Sequence, residues 1–271
     1  MTDMPRRKFL GTTAGAVAIT AMATVPAAAS PTVDSANRGK PTIVLVHGAF
    51  ADGSSWNDVV ERLERRGYKV IAVANPLRSV ASDAAYVKAL LHTIDGPVVL
   101  AGHSYGGMVI SNAAVGEANV KALVYIAGFI PEQGESAGDL AAKFPGSTLG
   151  ETLVKVPLPG GGNDLYVRQD LYPRQFAADV PKARARVAAA TQRPVTENGL
   201  GDASGPVAWH TIPSWSLIPT ADKNIPPNSQ RFMSQRAKAH AVEVPGASHA
   251  VLVSQPGRTA DLIVAAAGSV R

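Results

Sequence analysis

A chain of 271 residues, 46% of them hydrophobic and 17% charged, is long enough for one large domain with a well-buried core. The formal net charge is +5, and no long basic tract is interleaved with aromatic residues, so a nucleic-acid-binding protein is not expected. The absence of cysteine excludes disulfides, a cysteine nucleophile and thiolate metal sites.

The first residues have the pattern of an export signal rather than of a folded element. Arg6-Arg7 precedes a weakly apolar run at 11–25, and alanines at 27–29 suit a signal peptidase. This order resembles a bacterial twin-arginine (Tat) signal peptide over 1–29, which implies the Tat export machinery as a partner and a periplasmic or secreted protein. An uncleaved anchor or a disordered N-terminus is the alternative, although the apolar run is short for a membrane span. Residues 30–40 are expected to form a mobile lead-in.

From residue 41 to the C-terminus, apolar runs alternate with segments of helical periodicity. Strands are predicted at 42–46, 69–74, 98–101, 120–129, 214–220 and 241–244. Helices are predicted from Trp56 to about Arg66, from Ser82 or Asp83 to about Thr93, after Ser104 to about Val115, at 227–238 and at 255–267. The alternation predicts an α/β domain over 41–271, with a mostly parallel sheet and right-handed crossovers between its strands.

The alternation breaks at about 131–210, a long insertion between two predicted strands. The segment is rich in proline and glycine, above all at 157–162, and contains short helical pieces near 173–178 and 182–190. A disordered linker would not carry so many large apolar side chains, which are Leu165, Tyr166, Leu171, Tyr172 and Phe176. We therefore predict a lid over an active site.

The strand at 98–101 runs directly into Gly102-x-Ser104-x-Gly106, the pattern of a nucleophile elbow. In such an elbow a strained strand-to-helix turn exposes the serine hydroxyl. Glycines are needed on both sides because a Cβ would clash where the strand and the helix approach each other. The turn also directs the backbone N–H of Tyr105 toward the space beside the serine oxygen.

A serine nucleophile needs a histidine base and an acid that orients the histidine. Of the six histidines, only His249 follows a strand in a loop of small residues, at the sheet edge where open α/β sheets bind ligands. Asp222 is the one carboxylate between Asp202 and Glu243, and it follows a strand directly. A turn-forming aspartate and an ordinary loop histidine are the alternatives for the two residues taken singly.

The motifs His47-Gly48-Ala49, the elbow, 220–226 and 246–249 together resemble the α/β-hydrolase superfamily, in particular its esterase branch with plant methylesterases and hydroxynitrile lyases. The resemblance covers roughly residue 41 to the C-terminus and is weakest across the lid. It implies an α/β-hydrolase fold and an oxyanion hole formed by the backbone N–H groups of Ala49 and Tyr105. Phe50 is a second candidate for the loop donor.

Two departures from related enzymes bear on the chemistry. Hydroxynitrile lyases of this branch have lysine and threonine where this chain has Ala250 and Gly48, which favours hydrolysis. Haloalkane dehalogenases and epoxide hydrolases resemble the fold but use aspartate at the elbow, so Ser104 excludes their chemistry. Cofactor-free haloperoxidases share the Ser-His-Asp set and stay open as an alternative.

The sequence thus predicts a serine hydrolase that cleaves small-molecule carboxylic esters through Ser104, His249 and Asp222 and an acyl-enzyme, without a metal or cofactor. Possible substrate-binding residues are Phe50, Tyr105, Ile130 and Trp209. An amidase or lactonase with the same triad is the nearest alternative, and a non-catalytic ligand-binding protein is the other. The sequence leaves the oligomeric state open.

Overall fold

The computed structural model describes residues 39–270, so the predicted signal peptide at 1–29 and most of the predicted lead-in lie outside the described residues. The strands are β1 Thr42–Val46, β2 Val70–Val73, β3 Val98–His103, β4 Val120–Ile126, β5 Leu153–Pro157, β6 Asn163–Val167, β7 Val195–Thr196, β8 Ser214–Pro219 and β9 His240–Val244. The helices are α1 Asn57–Glu64, α2 Val80–Leu91, α3 Gly106–Ala113, α4 Ala137–Ala142, α5 Tyr172–Phe176, α6 Lys182–Thr191, α7 Glu197–Gly201, α8 Pro227–Arg236, α9 Val251–Ser254 and α10 Pro256–Gly268. Short 3₁₀ turns occupy Gly53–Trp56, Leu149–Thr152 and Ala208–His210.

The central sheet has six strands in the order β2-β1-β3-β4-β8-β9, and every neighbouring pair is parallel. The predicted α/β architecture with a mostly parallel sheet is therefore confirmed. Because all six strands run the same way, the loops that follow β1, β3, β4, β8 and β9 meet at one edge. These loops carry the elbow serine and the predicted acid and histidine, so one edge of the sheet positions the whole candidate site.

The inner strands are apolar without a polar break because both of their faces are covered. In β1, Val44 and Val46 face one core cluster while Ile43 and Leu45 face the other. Helices α2 and α3 pack on the first face, and α1 and α10 pack on the second. Burial on both faces explains why apolar runs rather than alternation marked these strands in the sequence. Within residues 39–270, none of the helices has the length and apolar character needed to cross a bilayer.

The insertion between β4 and β8 is folded and contains a small sheet of its own. Helices α5 and α6 match the predicted helical pieces near 173–178 and 182–190. The antiparallel sheet β5-β6-β7 was not predicted. Its first strand is largely exposed, and the glycine-rich run is the turn of a hairpin, in which the Leu158 N–H donates to the Gly162 carbonyl at 3.0 Å.

Several element boundaries differ from the prediction by one to three residues, and two of the differences have identifiable reasons. Strand β4 ends at Ile126 rather than Phe129, because Ala127 has a φ of 45°, outside the β region. Helix α2 begins at Val80 rather than Ser82, because the side chain of Ser79 caps it by accepting from the backbone N–H of Ser82 at 3.1 Å.

The start of α3 is packed so closely that only glycine fits there. A Cβ on Gly102 would lie 2.5 Å from the Gly106 carbonyl oxygen, and a Cβ on Gly107 would lie 2.1 Å from that of Phe129. Both obstacles are backbone atoms, which cannot rotate away as a side chain can. The contact of strand and helix that the elbow glycines predicted is therefore present.

We expect Gly107→Ala to lower the free energy of unfolding by about 3 kcal/mol and Tm by about 6–12 °C. The physical reason is the backbone clash with Phe129, which forces the elbow and the loop after β4 apart. Differential scanning calorimetry measures the change. Gly257→Ala is the matched control, since a Cβ there meets nothing within 4 Å. Equal melting temperatures for the two variants would contradict the prediction.

Candidate active site

Ser104 lies at the turn between β3 and α3 in a backbone conformation that few residues other than glycine adopt. Its φ is 53°, and its backbone N–H donates to the Ile126 carbonyl at 3.1 Å. Its own carbonyl accepts from the N–H groups of Gly107 and Phe129, at 2.9 and 3.2 Å. These bonds hold the turn between two buried strands and a helix, so the strain is borne by the surrounding structure.

Asp222 and His249 form a buried pair at the carboxyl ends of β8 and β9. The Nδ1–H of His249 donates to Asp222 Oδ2 at 2.7 Å, and both side chains are almost fully excluded from solvent. Nε2 of His249 has no hydrogen-bond partner among the described residues. A carboxylate on Nδ1 fixes the tautomer that leaves Nε2 without a proton, and an unprotonated Nε2 can act as a base.

Asp222 accepts three further hydrogen bonds, from groups that sequence reasoning did not identify. Oδ1 accepts from the backbone N–H groups of Asn224 and Ile225, at 2.8 and 3.1 Å. Oδ2 also accepts from Gln230 Nε2 at 2.8 Å, and the same nitrogen donates to the Ile225 carbonyl. The turn after Asp222 was visible in the sequence, whereas Gln230 lies on α8 and reaches Asp222 only through the fold.

The insertion holds the histidine from the other side. The Phe176 ring meets the His249 ring edge to face, with the centroids 4.8 Å apart. The backbone carbonyl of Phe176 accepts from the N–H of Ala250 at 3.0 Å. Beneath the pair, His103 Nε2 donates to the His249 carbonyl at 3.0 Å, so the His103 side chain points away from the cavity as expected from the sequence. His249 is thus fixed at its carboxylate, at its ring face and at its backbone.

Burial gives His103 a measurable effect on stability. Loss of solvation, with a smaller contribution from His249, holds the pKa of His103 well below its usual range. Unfolded His103 binds a proton below about pH 6.5, whereas the folded imidazole stays neutral. The unfolded state therefore binds more protons below that pH, and the free energy of unfolding falls as the pH falls toward the folded pKa.

We expect this slope to reach up to about 1.4 kcal/mol per pH unit below pH 6.5 and to be smaller in His103→Gln. Urea denaturation of both proteins between pH 7.5 and 5 measures it. Burial also lowers the pKa of His47. Because the wild type and His103→Gln both contain His47, the difference between their pH slopes of unfolding free energy reports on His103 alone. Parallel curves for the two proteins would contradict the prediction.

Two backbone N–H groups beside Ser104 have no partner among the described residues. They belong to Ala49 in the loop after β1 and to Tyr105 at the start of α3. The N–H of Phe50, the second candidate, instead donates to the Arg193 carbonyl at 3.0 Å. Gly48 leaves room for this loop, because a Cβ there would lie 2.7 Å from Ser104 Cβ. Unpaired N–H groups at a helix start attract negative charge.

A cavity of about 480 Å³ contains Ser104 and His249 in its wall. The sheet-edge loops form one side of the cavity, and the insertion forms the other through the segment 137–153 together with Phe176 and Leu200. The insertion, which the sequence predicts to be a lid, therefore faces the sheet edge across this cavity. All the lining residues lie in the described part of the chain, and none of them carries a charged side chain.

Of the predicted substrate-binding residues, Phe50 lines the cavity and three others do not. Ile130 is buried beneath it, with its N–H directed to Met233 Sδ at 3.2 Å. The indole N–H of Trp209 donates to the Pro131 carbonyl at 2.6 Å. The Tyr105 side chain is buried in the core, where its hydroxyl donates to Asp83 at 2.9 Å. Apolar character alone did not distinguish wall residues from core residues.

No group of three or more His, Cys, Asp or Glu side chains suited to a metal ion occurs among the described residues. The polar groups at the cavity include the Ser104 hydroxyl, the imidazole of His249 paired with the Asp222 carboxylate, and nearby backbone N–H groups. This set can activate an alcohol and stabilise a developing oxyanion.

Comparisons with known proteins agree with the architecture. The model of the alpha/beta hydrolase family matches residues 43–262. A carbendazim hydrolyzing esterase from Nocardioides sp. (strain SG-4G) is 33% identical over 37% of this chain, and the match spans 47% of that enzyme. Esterase PIR7B from Oryza sativa subsp. japonica is 26% identical over 83% of this chain and 95% of that protein. The crystal structure of polyneuridine aldehyde esterase superposes with a TM-score of 0.72 at 20% identity, covering 83% of this chain and 98% of that chain.

Proposed function

The chain belongs to the alpha/beta hydrolase family, and from that premise we propose that it hydrolyses carboxylic esters, with Ser104 as nucleophile, His249 as base and Asp222 as the orienting acid. The observation that carries the proposal is the buried Asp222–His249 pair, whose second imidazole nitrogen is unpartnered at a cavity shared with Ser104. The esterase names of two of the relatives support an ester as the substrate.

In the proposed mechanism, Ser104 Oγ attacks the ester carbonyl while His249 Nε2 takes the hydroxyl proton. The carboxylate of Asp222 stabilises the imidazolium, and the N–H groups of Ala49 and Tyr105 donate to the oxyanion. His249 then gives its proton to the leaving alcohol, which departs and leaves an acyl-Ser104. Water, deprotonated by His249, then attacks the acyl group. Ser104 Oγ leaves and takes this proton back from His249, which releases the carboxylic acid and restores the free enzyme.

Two features favour a neutral ester over the alternatives. Among the described residues that line the cavity none has a charged side chain, so they offer no counter-charge to an ionised substrate. Ala250 follows His249, where the hydroxynitrile lyases that the chain resembles have a lysine, so this position supplies no cation to stabilise cyanide. An amidase or lactonase would use the same groups, and parallel assays with amide and lactone substrates distinguish these activities.

Hydrolysis of p-nitrophenyl acetate, butyrate and octanoate by the full chain tests the proposal, together with labelling by a fluorophosphonate probe. We expect turnover of at least one ester and a single labelled residue, Ser104, identified by peptide mass spectrometry. A wild-type protein that is neither active nor labelled would refute the hydrolase proposal and favour a ligand-binding protein. Labelling without turnover of these esters would support the machinery and refute the choice of substrate.

We also propose that the protein is exported by the Tat machinery to the periplasm or the medium, on the strength of Arg6-Arg7 and the run that follows. These residues lie outside the described part of the chain. Replacing both arginines with lysine is expected to retain the protein in the cytoplasm, as measured by cell fractionation and immunoblotting. Export of the double variant at the wild-type level would contradict the proposal.

A further inference from the structure

The cavity wall contains a hydrogen-bonding side chain that the proposed triad does not use. Four lining residues have polar side chains: Ser104, Ser147, Asn224 and His249. The Ser147 hydroxyl donates to the Asn224 backbone carbonyl at 2.9 Å. Apart from the proposed nucleophile and base, Asn224 is therefore the lining residue with an uncommitted side-chain donor.

Asn224 is nearly fully buried, and three of its four polar atoms have partners. Its N–H donates to Asp222, its carbonyl accepts from Ser147, and its Oδ1 accepts from Gln175 Nε2 at 3.0 Å. Its Nδ2 has no partner among the described residues. A buried N–H group without a partner destabilises the folded protein, so an acceptor that reached Nδ2 from the cavity lined by Asn224 would remove this cost.

The orientation of the Asn224 carboxamide is determined by its neighbours. Gln175 Oε1 accepts from the Thr148 hydroxyl at 2.9 Å, so the Gln175 amide presents Nε2 to Asn224. The same Nε2 also donates to the Lys223 carbonyl at 3.0 Å. Asn224 must therefore turn its oxygen toward Gln175, and its NH₂ group remains as the donor.

We propose that Asn224 Nδ2 is a substrate-binding donor, and that the preferred substrates are uncharged esters with a second oxygen acceptor, such as an ether or carbonyl, near the scissile ester. The inference rests on the proposed ester hydrolysis. A cavity wall that is otherwise apolar and has one fixed N–H donor discriminates strongly between two kinds of substrate. A substrate with an acceptor for the donor is favoured over an isostere that leaves the donor without a hydrogen bond.

Two isosteric ester pairs test the inference. In p-nitrophenyl methoxyacetate and 3-methoxypropanoate, one oxygen replaces a methylene of the butyrate and the pentanoate. The ratio of kcat/KM for the oxygen-containing ester to that for its isostere is measured for each pair. Comparing this ratio between proteins cancels the intrinsic reactivity of the esters.

We expect the ratio for at least one pair to fall about tenfold in Asn224→Leu and in Asn224→Asp. Leucine removes the donor. Aspartate also removes it but keeps the shape of the side chain and an oxygen that can accept from Gln175. If the leucine variant does not fold, the aspartate variant decides the test. Asn228→Leu, on the exposed side of α8, is the matched control, and its ratio is expected to equal that of the wild type.

A structural role for Asn224 would lower kcat/KM for both members of each pair together. Unchanged ratios in a folded Asn224 variant would therefore overturn the inference while leaving the hydrolase proposal intact. If the wild type hydrolyses none of the four esters and the fluorophosphonate probe does not label Ser104, the hydrolase proposal fails and the inference fails with it. Labelling of Ser104 without turnover of any of the four esters overturns the inference alone.

Discussion

Ser104→Ala is expected to lower kcat for p-nitrophenyl butyrate by about 10⁶-fold, to the level given by the oxyanion donors and binding alone. The physical reason is that alanine has no atom that can form the acyl-enzyme. The fold is expected to remain, because the Ser104 hydroxyl forms no hydrogen bond with another described residue. The bonds that hold the turn come from its backbone N–H and carbonyl, which alanine keeps.

Initial rates and a thermal melt of wild type and Ser104→Ala measure the two effects separately. Ser269→Ala, at the end of α10, removes a serine hydroxyl that bonds only to the Ala266 carbonyl, and it serves as the control. Residual activity above about one part in a hundred, in a preparation free of wild-type protein, would mean that another group is the nucleophile.

Asp222→Asn is expected to reduce kcat by about 10⁴-fold. Both carboxylate oxygens of Asp222 face donors: two backbone N–H groups on Oδ1, and His249 and Gln230 on Oδ2. An asparagine must point its NH₂ group toward one of these two sets. In either orientation the asparagine NH₂ group faces other N–H donors, and the donors on that side lose the oxygen that accepted from them.

The orientation of that asparagine decides how activity is lost. With NH₂ toward His249, the imidazole must accept at Nδ1 and carry its proton on Nε2, which can then no longer accept the proton of Ser104. With NH₂ toward Asn224 and Ile225, the turn after β8 is disturbed instead. In both cases no carboxylate remains to stabilise the imidazolium as the reaction proceeds.

Steady-state kinetics and calorimetry of Asp222→Asn test this expectation. Asp261→Asn is the control, because Asp261 is an exposed carboxylate paired with Arg66 on the protein surface. The control is expected to change kcat less than twofold. A surface ion pair contributes about 0–1 kcal/mol to stability, and Asp261 lies on α10 rather than among the residues that line the cavity. An Asp222→Asn variant with near wild-type kcat would show that His249 does not depend on this carboxylate.

Local sequence determined the central sheet and the elbow. The strands at 42–46 and 98–101 were recognisable because a buried parallel strand must be apolar on both faces. Ser104 was recognisable because its turn requires glycine at 102 and 106, where backbone atoms approach within a distance that no Cβ tolerates. Position after a strand, a loop of small residues and the lack of other carboxylates made Asp222 and His249 the candidates, since the carboxyl ends of parallel strands meet at one edge.

Only the tertiary structure decided which side chains surround that edge. Gln230 and Phe176 reach Asp222 and His249 from α8 and from the insertion, and no local pattern marks a contact between segments so far apart in the chain. Ile130 and Trp209 are as apolar as the residues of the cavity wall, but they lie in the core. Hydrophobicity predicts that a side chain is buried and does not predict whether it faces a cavity or other side chains. The sequence by itself therefore determined the order of the candidate catalytic groups, whose signals are local. Packing of the insertion against the sheet decided the shape of the cavity and the residues that line it.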